Sequence, residues 1–271
     1  MAAAVDRVGL GWRPELASGI LMHRDRVDCL EVLADDWLDK PPRAPRRLAA
    51  EIPTSLHGVG LGLASACPVD ENRLARVAWL INAVEPETWS EHFAFVRAGG
   101  IEIGHLAAPP RTIATIEGFT RNLHRARVAV GSMPLMENVA TLMRPPGELS
   151  EAVWIRDALL SGGASMLLDL HNLYANAANF DYDPLDFLAA IPLERVRQMH
   201  LAGGRMWRSR LLDDHQHDVP DPVYALLTEV AARVQHPLTV IIERDGNFPT
   251  IEHLLSEVSR AREALARGRA R

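Results

Sequence analysis

Short apolar runs that end abruptly in polar groups recur along this chain. The plainest is Met166-Leu167-Leu168, which turns polar at Asp169, His171 and Asn172. Such a run is the pattern of a strand buried on both faces. Similar runs lie at 8–12, 27–33, 52–57, 88–91, 133–136, 196–201 and 238–242. The pattern therefore predicts about eight strands. Helical periodicity falls between them. At 70–84, apolar residues recur at Leu74, Val77, Ala78 and Ile81 behind Asp70, a suitable N-cap. Residues 115–128 also read as helix, as do 148–161, which Gly162-Gly163 stop, and 183–190. So do 222–234, with Asp221 as cap and Pro222 at the first helical position, and 251–266. A helix could also start at Glu15. The proline-rich stretch 41–45, the stretch from Gly99-Gly100 to Pro109-Pro110, and the segment carrying Asp213, Asp214, His215 and His217 read as loops.

Strands alternating with helices over 271 residues predict one α/β domain, 1–271, folded as a (β/α)8 TIM barrel. An open doubly wound sheet is the alternative, but no glycine fingerprint follows the first strand. The glycine-rich Gly58-Val59-Gly60-Leu61-Gly62 lacks both the Walker lysine and the dinucleotide spacing. A basic C-terminal tail, about 260–271, carries Arg260, Arg262, Arg267, Arg269 and Arg271 and reads as a frayed, solvated helix end.

Composition narrows the partners. With 48% hydrophobic and 24% charged residues, the chain has a soluble globular balance. A net charge of −6 argues against a nucleic-acid backbone as main ligand. The two cysteines, Cys29 and Cys67, make neither a disulfide framework nor a thiolate cage, and Cys29 reads as buried. Residues 1–7 do not resemble a signal peptide, and no apolar run approaches the roughly 20 residues of a membrane span. The expectation is a cytoplasmic protein with neither a nucleic-acid nor a membrane partner.

On the barrel frame, His57, His92, Glu137, Asp169, His200 and Glu243 all stand at or near strand ends, and Asp213 and His215 follow the seventh strand. A barrel would bring them to one mouth. Each has an ordinary reading by itself: Asp169 as a helix cap, Glu137 and Glu243 as partners of arginines such as Arg244. His23, His124, His236 and His253 read as surface residues, and His105 and His217 stay open. Together, the carboxylates and imidazoles need cations to compensate them, and metal is the simplest compensation. Imidazole and carboxylate without thiolate suit iron, manganese or zinc. The number of ligands suggests two or three ions. Spacing alone leaves open a two-metal hydrolase or an oxygen-activating iron site.

Several motifs, in order, resemble the DUF692 (UPF0276) family of multinuclear non-haem iron-dependent oxidative enzymes, the methanobactin-type oxidase relatives. They are His57-Gly58-Val59-Gly60-Leu61, Ser90-Glu91-His92, Glu137-Asn138, Leu168-Asp169-Leu170-His171-Asn172, His200-Leu201-Ala202-Gly203 and Val219-Pro220-Asp221-Pro222-Val223. The resemblance implies a TIM barrel with two or three irons (Fe2+/Fe3+) and dioxygen as co-substrate. It implies oxidation of a residue, often cysteine, in a ribosomally made precursor peptide. A small partner protein or peptide-recognition domain would deliver that peptide. By the same resemblance, His57, His92, Glu137, Asp169, His200, Asp213, His215 and Glu243 are metal ligands. Asn172 is a further ligand candidate, although its amide could equally cap a helix. His171 is a neighbour of the metals. Asp245 is either a proton-transfer group or a turn residue before Gly246. Residues 33–37 and 105–112 depart from the family pattern. The rivals are a Zn or Mn barrel hydrolase or isomerase, which would want a basic groove or a poised lysine where this chain offers Lys40, and a non-enzymatic metal-binding protein.

Overall fold

A computed structural model describes residues 5–98 and 100–271. Residues 1–4, part of the segment read as no signal peptide, and Gly99, part of an expected loop, lie outside the described residues. In chain order the elements are β1 (Arg7–Trp12), α1 (Ala17–Met22), β2 (Leu30–Leu33), α2 (Arg43–Glu51), β3 (Thr54–His57), α3 (Glu71–Val84) and β4 (Thr88–His92). Next come β5 (Phe95–Ala98), β6 (Ile101–Ala107), α4 (Ile113–Val130), β7 (Leu135–Glu137), α5 (Glu151–Gly162), β8 (Ser165–Asp169), α6 (Leu170–Phe180) and α7 (Pro184–Ala190). The chain finishes with β9 (Val196–Leu201), β10 (Gly203–Trp207), β11 (Arg210–His217), α8 (Asp221–Arg233), β12 (Thr239–Ile242) and α9 (Ile251–Arg269). Eight strands close into a barrel in the order β1-β12-β9-β8-β7-β4-β3-β2, and β5-β6 and β10-β11 form separate two-stranded sheets.

The chain divides into two compact units, Met1–Glu31 with Leu168–Arg271, and Val32–Leu167. In the first, β12 pairs in parallel with β1 and with β9, setting Ile241 beside Gly9 and His200. Val240, Ile241 and Ile242 are all buried, as the unbroken apolar run predicts. Helices α8 and α9 pack together, and Leu227, Val230, Leu254 and Val258 on them are buried. Gly268 permits their closest approach, since a Cβ there would lie 2.5 Å from the Thr228 carbonyl oxygen. In the second unit, β3, β4, β7 and β8 pair in parallel. The register sets His57 beside Ser90 and His92 beside Glu137. Phe93, Phe119 and Trp154 form an aromatic cluster there, with ring centroids 5.2–6.4 Å apart.

Some expectations are corrected. The stretch 41–45 opens a helix, α2: Pro45 is its third residue, where a backbone N–H has no partner within the helix, so proline costs no bond. The stretch 99–110 contains β6, which is mostly exposed and so shows no apolar alternation. The segment with Asp213, His215 and His217 is the strand β11. Helix α6 follows β8 at once, with the Asp169 side chain accepting from the Asn172 N–H at 2.6 Å. Asp221 is the first residue of α8, and Pro220 stands at the cap. The C-terminal helix is not frayed. It runs to Arg269, which donates to the Ala231 carbonyl at 3.1 Å, the His236 carbonyl at 2.8 Å and Asp6 at 2.7 Å. Cys29 is buried and Cys67 exposed. No described helix is long and apolar enough to cross a membrane.

Candidate metal centre

In the unit 32–167, parallel pairing ends three neighbouring strands in His57, His92 and Glu137, all buried. Glu137 Oε2 lies 3.3 Å from His57 Nε2 and 3.2 Å from His92 Nε2. The two rings stand edge to face, 4.7 Å apart. His92 Nδ1 is 3.1 Å from the Gly58 carbonyl oxygen, which only accepts, so Nδ1 carries a hydrogen. In the neutral ring Nε2 is then a bare lone pair aimed at a carboxylate oxygen. Two acceptors meet at that distance only with a proton or a metal cation between them. His57 Nδ1 is 2.7 Å from Ser90 Oγ, which holds that ring in place.

The unit containing Leu168–Arg271 holds two more groups that include expected ligands, besides a more exposed cluster of Asp218, His253 and Glu257. Asp169, His200 and Glu243 offer ligand atoms within 4.8 Å of one another, as do His171, Asp213 and His215. Glu243 Oε2 is 3.1 Å from both His200 Nδ1 and His215 Nδ1. His215 Nε2 is 2.8 Å from Asp213 Oδ1 and 3.8 Å from Asp169 Oδ2. Asp213 Oδ1 also meets His171 Nδ1 at 2.7 Å. His171 Nε2 is buried and has no hydrogen-bond partner among the described residues. Gly204 lies against that ring, where a Cβ would be 2.6 Å from Cε1. His215 itself sits in the left-handed region, at φ 51°, a strained position for a non-glycine residue, and its carbonyl accepts the Asp245 N–H at 2.8 Å.

The electrostatics match this crowding. Burial opposes the charge on His215, yet Asp213, Asp245 and Glu243 together hold its pKa well above the ordinary imidazole value. Burial would raise Asp213, but the His215 charge and the hydrogen bond from His171 hold it below the ordinary range. Glu243 is likewise held well below its ordinary value by His200 and His215, against burial. Glu91, beside His92, is pushed by burial up to about 7, with the His92 charge and the Leu61 and His92 N–H groups opposing.

The proposed histidine and carboxylate ligands thus fall in three groups, buried or half-buried. Asn172 is buried in the first turn of α6. Asp245 is partly exposed: Arg13 Nε donates to Oδ1 at 3.0 Å, and Oδ2 lies 3.5 Å from His215 Nδ1. Arg244 is not a partner of the strand-end carboxylates. It pairs with Asp218 at 2.5 Å, whereas Arg13 Nη2 is 3.7 Å from Glu243. His105 is exposed, and His217 lies 2.9 Å from Asp214. The sequence reading missed Arg13, Glu31 and Gln198. Glu31 Oε1 is 2.8 Å from His200 Nε2, and its Oε2 accepts from Gln198 Nε2. The available signal was one carboxylate inside the apolar run Leu30-Glu31-Val32.

A closed parallel barrel carrying buried histidine–carboxylate groups defines a barrel protein with candidate metal sites. The profile of the RiPP precursor modification enzyme family MbnB/TglH/ChrH matches residues 7–266, and the chain belongs to that family. It is 36% identical to a UPF0276 protein of Streptomyces avermitilis over 267 residues, 95% of this chain and 54% of that one. It is 30% identical to a UPF0276 protein of Acaryochloris marina, covering 98% of this chain and 97% of that one. The chain therefore spans about half the length of the first relative and nearly all of the second. Among solved structures it resembles D-psicose 3-epimerase from Clostridium cellulolyticum, with TM-score 0.61 at 12% identity, covering 97% and 98% of the two chains. It also resembles endonuclease IV from Thermus thermophilus, with TM-score 0.60 at 15% identity, covering 95% and 99%. These two likenesses concern the fold alone.

Proposed function

We propose that this chain, working as one barrel domain, is a multinuclear non-haem iron oxidase that uses dioxygen to modify a residue, often cysteine, of a ribosomally made precursor peptide. The observation that carries the reading is the buried cluster at Glu137, where two imidazole Nε2 atoms face one carboxylate oxygen at 3.2–3.3 Å. The donor set fits iron, since imidazole and carboxylate without thiolate hold Fe2+ and Fe3+ alike. His57, His92 and Glu137 would hold one ion, and Asp169, His200, Asp213, His215 and Glu243, with Asn172, one or two more. Bound iron would supply one-electron redox chemistry and dioxygen activation.

The chain's own groups then orient and move protons. Through its Nδ1, His171 holds Asp213. Arg13 is fixed between Glu243 and Asp245 and offsets part of their charge. Asp245, the most exposed carboxylate of the set, would take a proton from the bound side chain. A small partner protein or recognition domain would bring the peptide. The reading includes a cytoplasmic location and no nucleic-acid partner, supported by a net charge of −6.

Two measurements test it. Protein purified without air should contain two or more irons per chain, visible by Mössbauer spectroscopy and reduced in Glu137→Ala. Co-expression with a short peptide encoded beside it should shift the peptide's mass by an oxidation. Zinc or manganese at full occupancy with an unmodified peptide would instead support a barrel hydrolase or isomerase. Saturated coordination with no oxygen consumption would support a metal-binding protein.

A further inference from the structure

Glu31 lies in the middle of a buried apolar run on β2, with 1% of its surface exposed. Its two carboxylate oxygens face two buried nitrogen-bearing side chains, which also approach each other, with Gln198 Nε2 3.4 Å from His200 Nε2. Oε2 accepts from the Gln198 amide, and Oε1 faces His200 Nε2 at 2.8 Å. The other ring nitrogen, His200 Nδ1, faces Glu243 Oε2 at 3.1 Å. The imidazole is therefore held from both sides, by one carboxylate inside the proposed ligand set and one outside it.

We infer that Glu31 is a positioning residue for metal binding: it accepts the Nε2 proton of His200 and so makes Nδ1 the coordinating nitrogen, aimed at Glu243. The inference rests on the metal-centre reading above. A carboxylate that takes one ring N–H fixes the tautomer, stops ring rotation and makes the opposite nitrogen a stronger donor. Gln198 completes the arrangement, because its amide occupies Oε2 and leaves Oε1 for the ring. A glutamine at 31 would lose this symmetry, since one of its two arms is itself a donor and would oppose either Gln198 or His200.

The test uses Zn2+ alone as probe, so that it works whatever the native metal. In the zinc-loaded wild-type protein, ring 15N shifts should show His200 Nε2 protonated and Nδ1 bound to metal. Zinc affinity, measured by competition with a chromophoric chelator, should fall about 10–100-fold at one site in Glu31→Ala. The exchanged pair Glu31→Gln with Gln198→Glu restores an acceptor for His200 and a donor between the two side chains, and should recover most of that loss. A wild-type His200 protonated on Nδ1, or an unchanged affinity in Glu31→Ala, would overturn the inference while leaving the metal centre intact. Failure of the exchanged pair to recover affinity would also overturn it, and would make Glu31 itself a ligand. If the wild-type protein binds no zinc, the metal reading falls and this inference falls with it. The wild-type spectrum decides the tautomer even where a variant does not fold.

Discussion

Asn122→Asp exchanges one NH2 for an oxygen and should be among the most damaging single changes outside the proposed centre. Asn122 is a buried residue of α4 whose side chain serves only backbone. Its Nδ2 donates to the carbonyls of Leu63 (3.2 Å), Ser65 (3.1 Å) and Cys67 (2.8 Å), and its Oδ1 accepts the Val69 N–H at 3.0 Å. One helix residue thus ties down the connection that follows β3. Two N–H groups serve three carbonyls, so the side chain makes about three full bonds, and at about 1 kcal/mol each Asn122→Ala should cost about 3 kcal/mol. Asn122→Asp removes both donors and sets an oxygen against three carbonyl oxygens, raising the cost to about 4–5 kcal/mol. That is a large part of the about 5–15 kcal/mol that holds a domain folded. The introduced carboxyl regains a donor when protonated, so its folded pKa lies above its unfolded value of about 3.9. The penalty is then full above the folded pKa and shrinks as pH falls through it. Urea unfolding of metal-free protein, followed by tryptophan fluorescence at pH 7 and pH 5, should give the stability order wild type, Ala, Asp. The gap between Ala and Asp should narrow at pH 5. An Asp variant as stable as wild type, or a gap independent of pH, would refute the reasoning.

Two further outcomes are expected. In Gly204→Ala the new Cβ would lie 1.9 Å from the Leu212 carbonyl oxygen and 2.6 Å from His171 Cε1, so the β10-β11 ribbon or the imidazole must shift. This overpacking should cost about 1–3 kcal/mol in thermal melting and reduce the metal bound per chain; a variant that keeps both values counts against the packing described. Asp6 is held below its ordinary pKa because, against burial, the Arg269 guanidinium and the Leu238 N–H bind its carboxylate. A lowered folded pKa gives stability that is full above about pH 3.9 and is lost as pH falls through the folded value, so Asp6→Asn should cost about 1–2 kcal/mol at pH 7. The two proteins should converge in strong acid, and parallel stability curves across that range would show that the pair contributes nothing.

The legible part of this protein was its strand ends. A strand buried on both faces has no reason to place His57, His92, Glu137, Asp169, His200 or Glu243 at or near its last positions unless they face one another or a cation, so these residues stood out against the apolar runs. Parallel pairing then does in space what the sequence only hints at, as in the register of His92 beside Glu137. What stayed hidden had weaker signals. Helix α2 was masked by prolines that a first turn tolerates. Strand β6 was masked by exposure, because a strand with no buried face writes no alternation, and β11 by its run of half-buried polar residues.

Glu31 marks the physical limit of such reading. Its position inside a run, not at its end, leaves one carboxylate among apolar residues as its whole signal. Its meaning comes from long-range partners such as His200 and Gln198 on β9. The same holds for Arg13, whose guanidinium reaches Glu243 and Asp245 across more than two hundred residues of chain. Groups that contact a metal must converge, and a fold puts convergence at the ends of strands. Groups that orient those contacts need only reach one ligand each, from any depth of the barrel, and neither composition nor spacing constrains where they stand. A residue list drawn from strand ends therefore names candidate ligands and leaves out groups such as Glu31 that face an imidazole from inside a run.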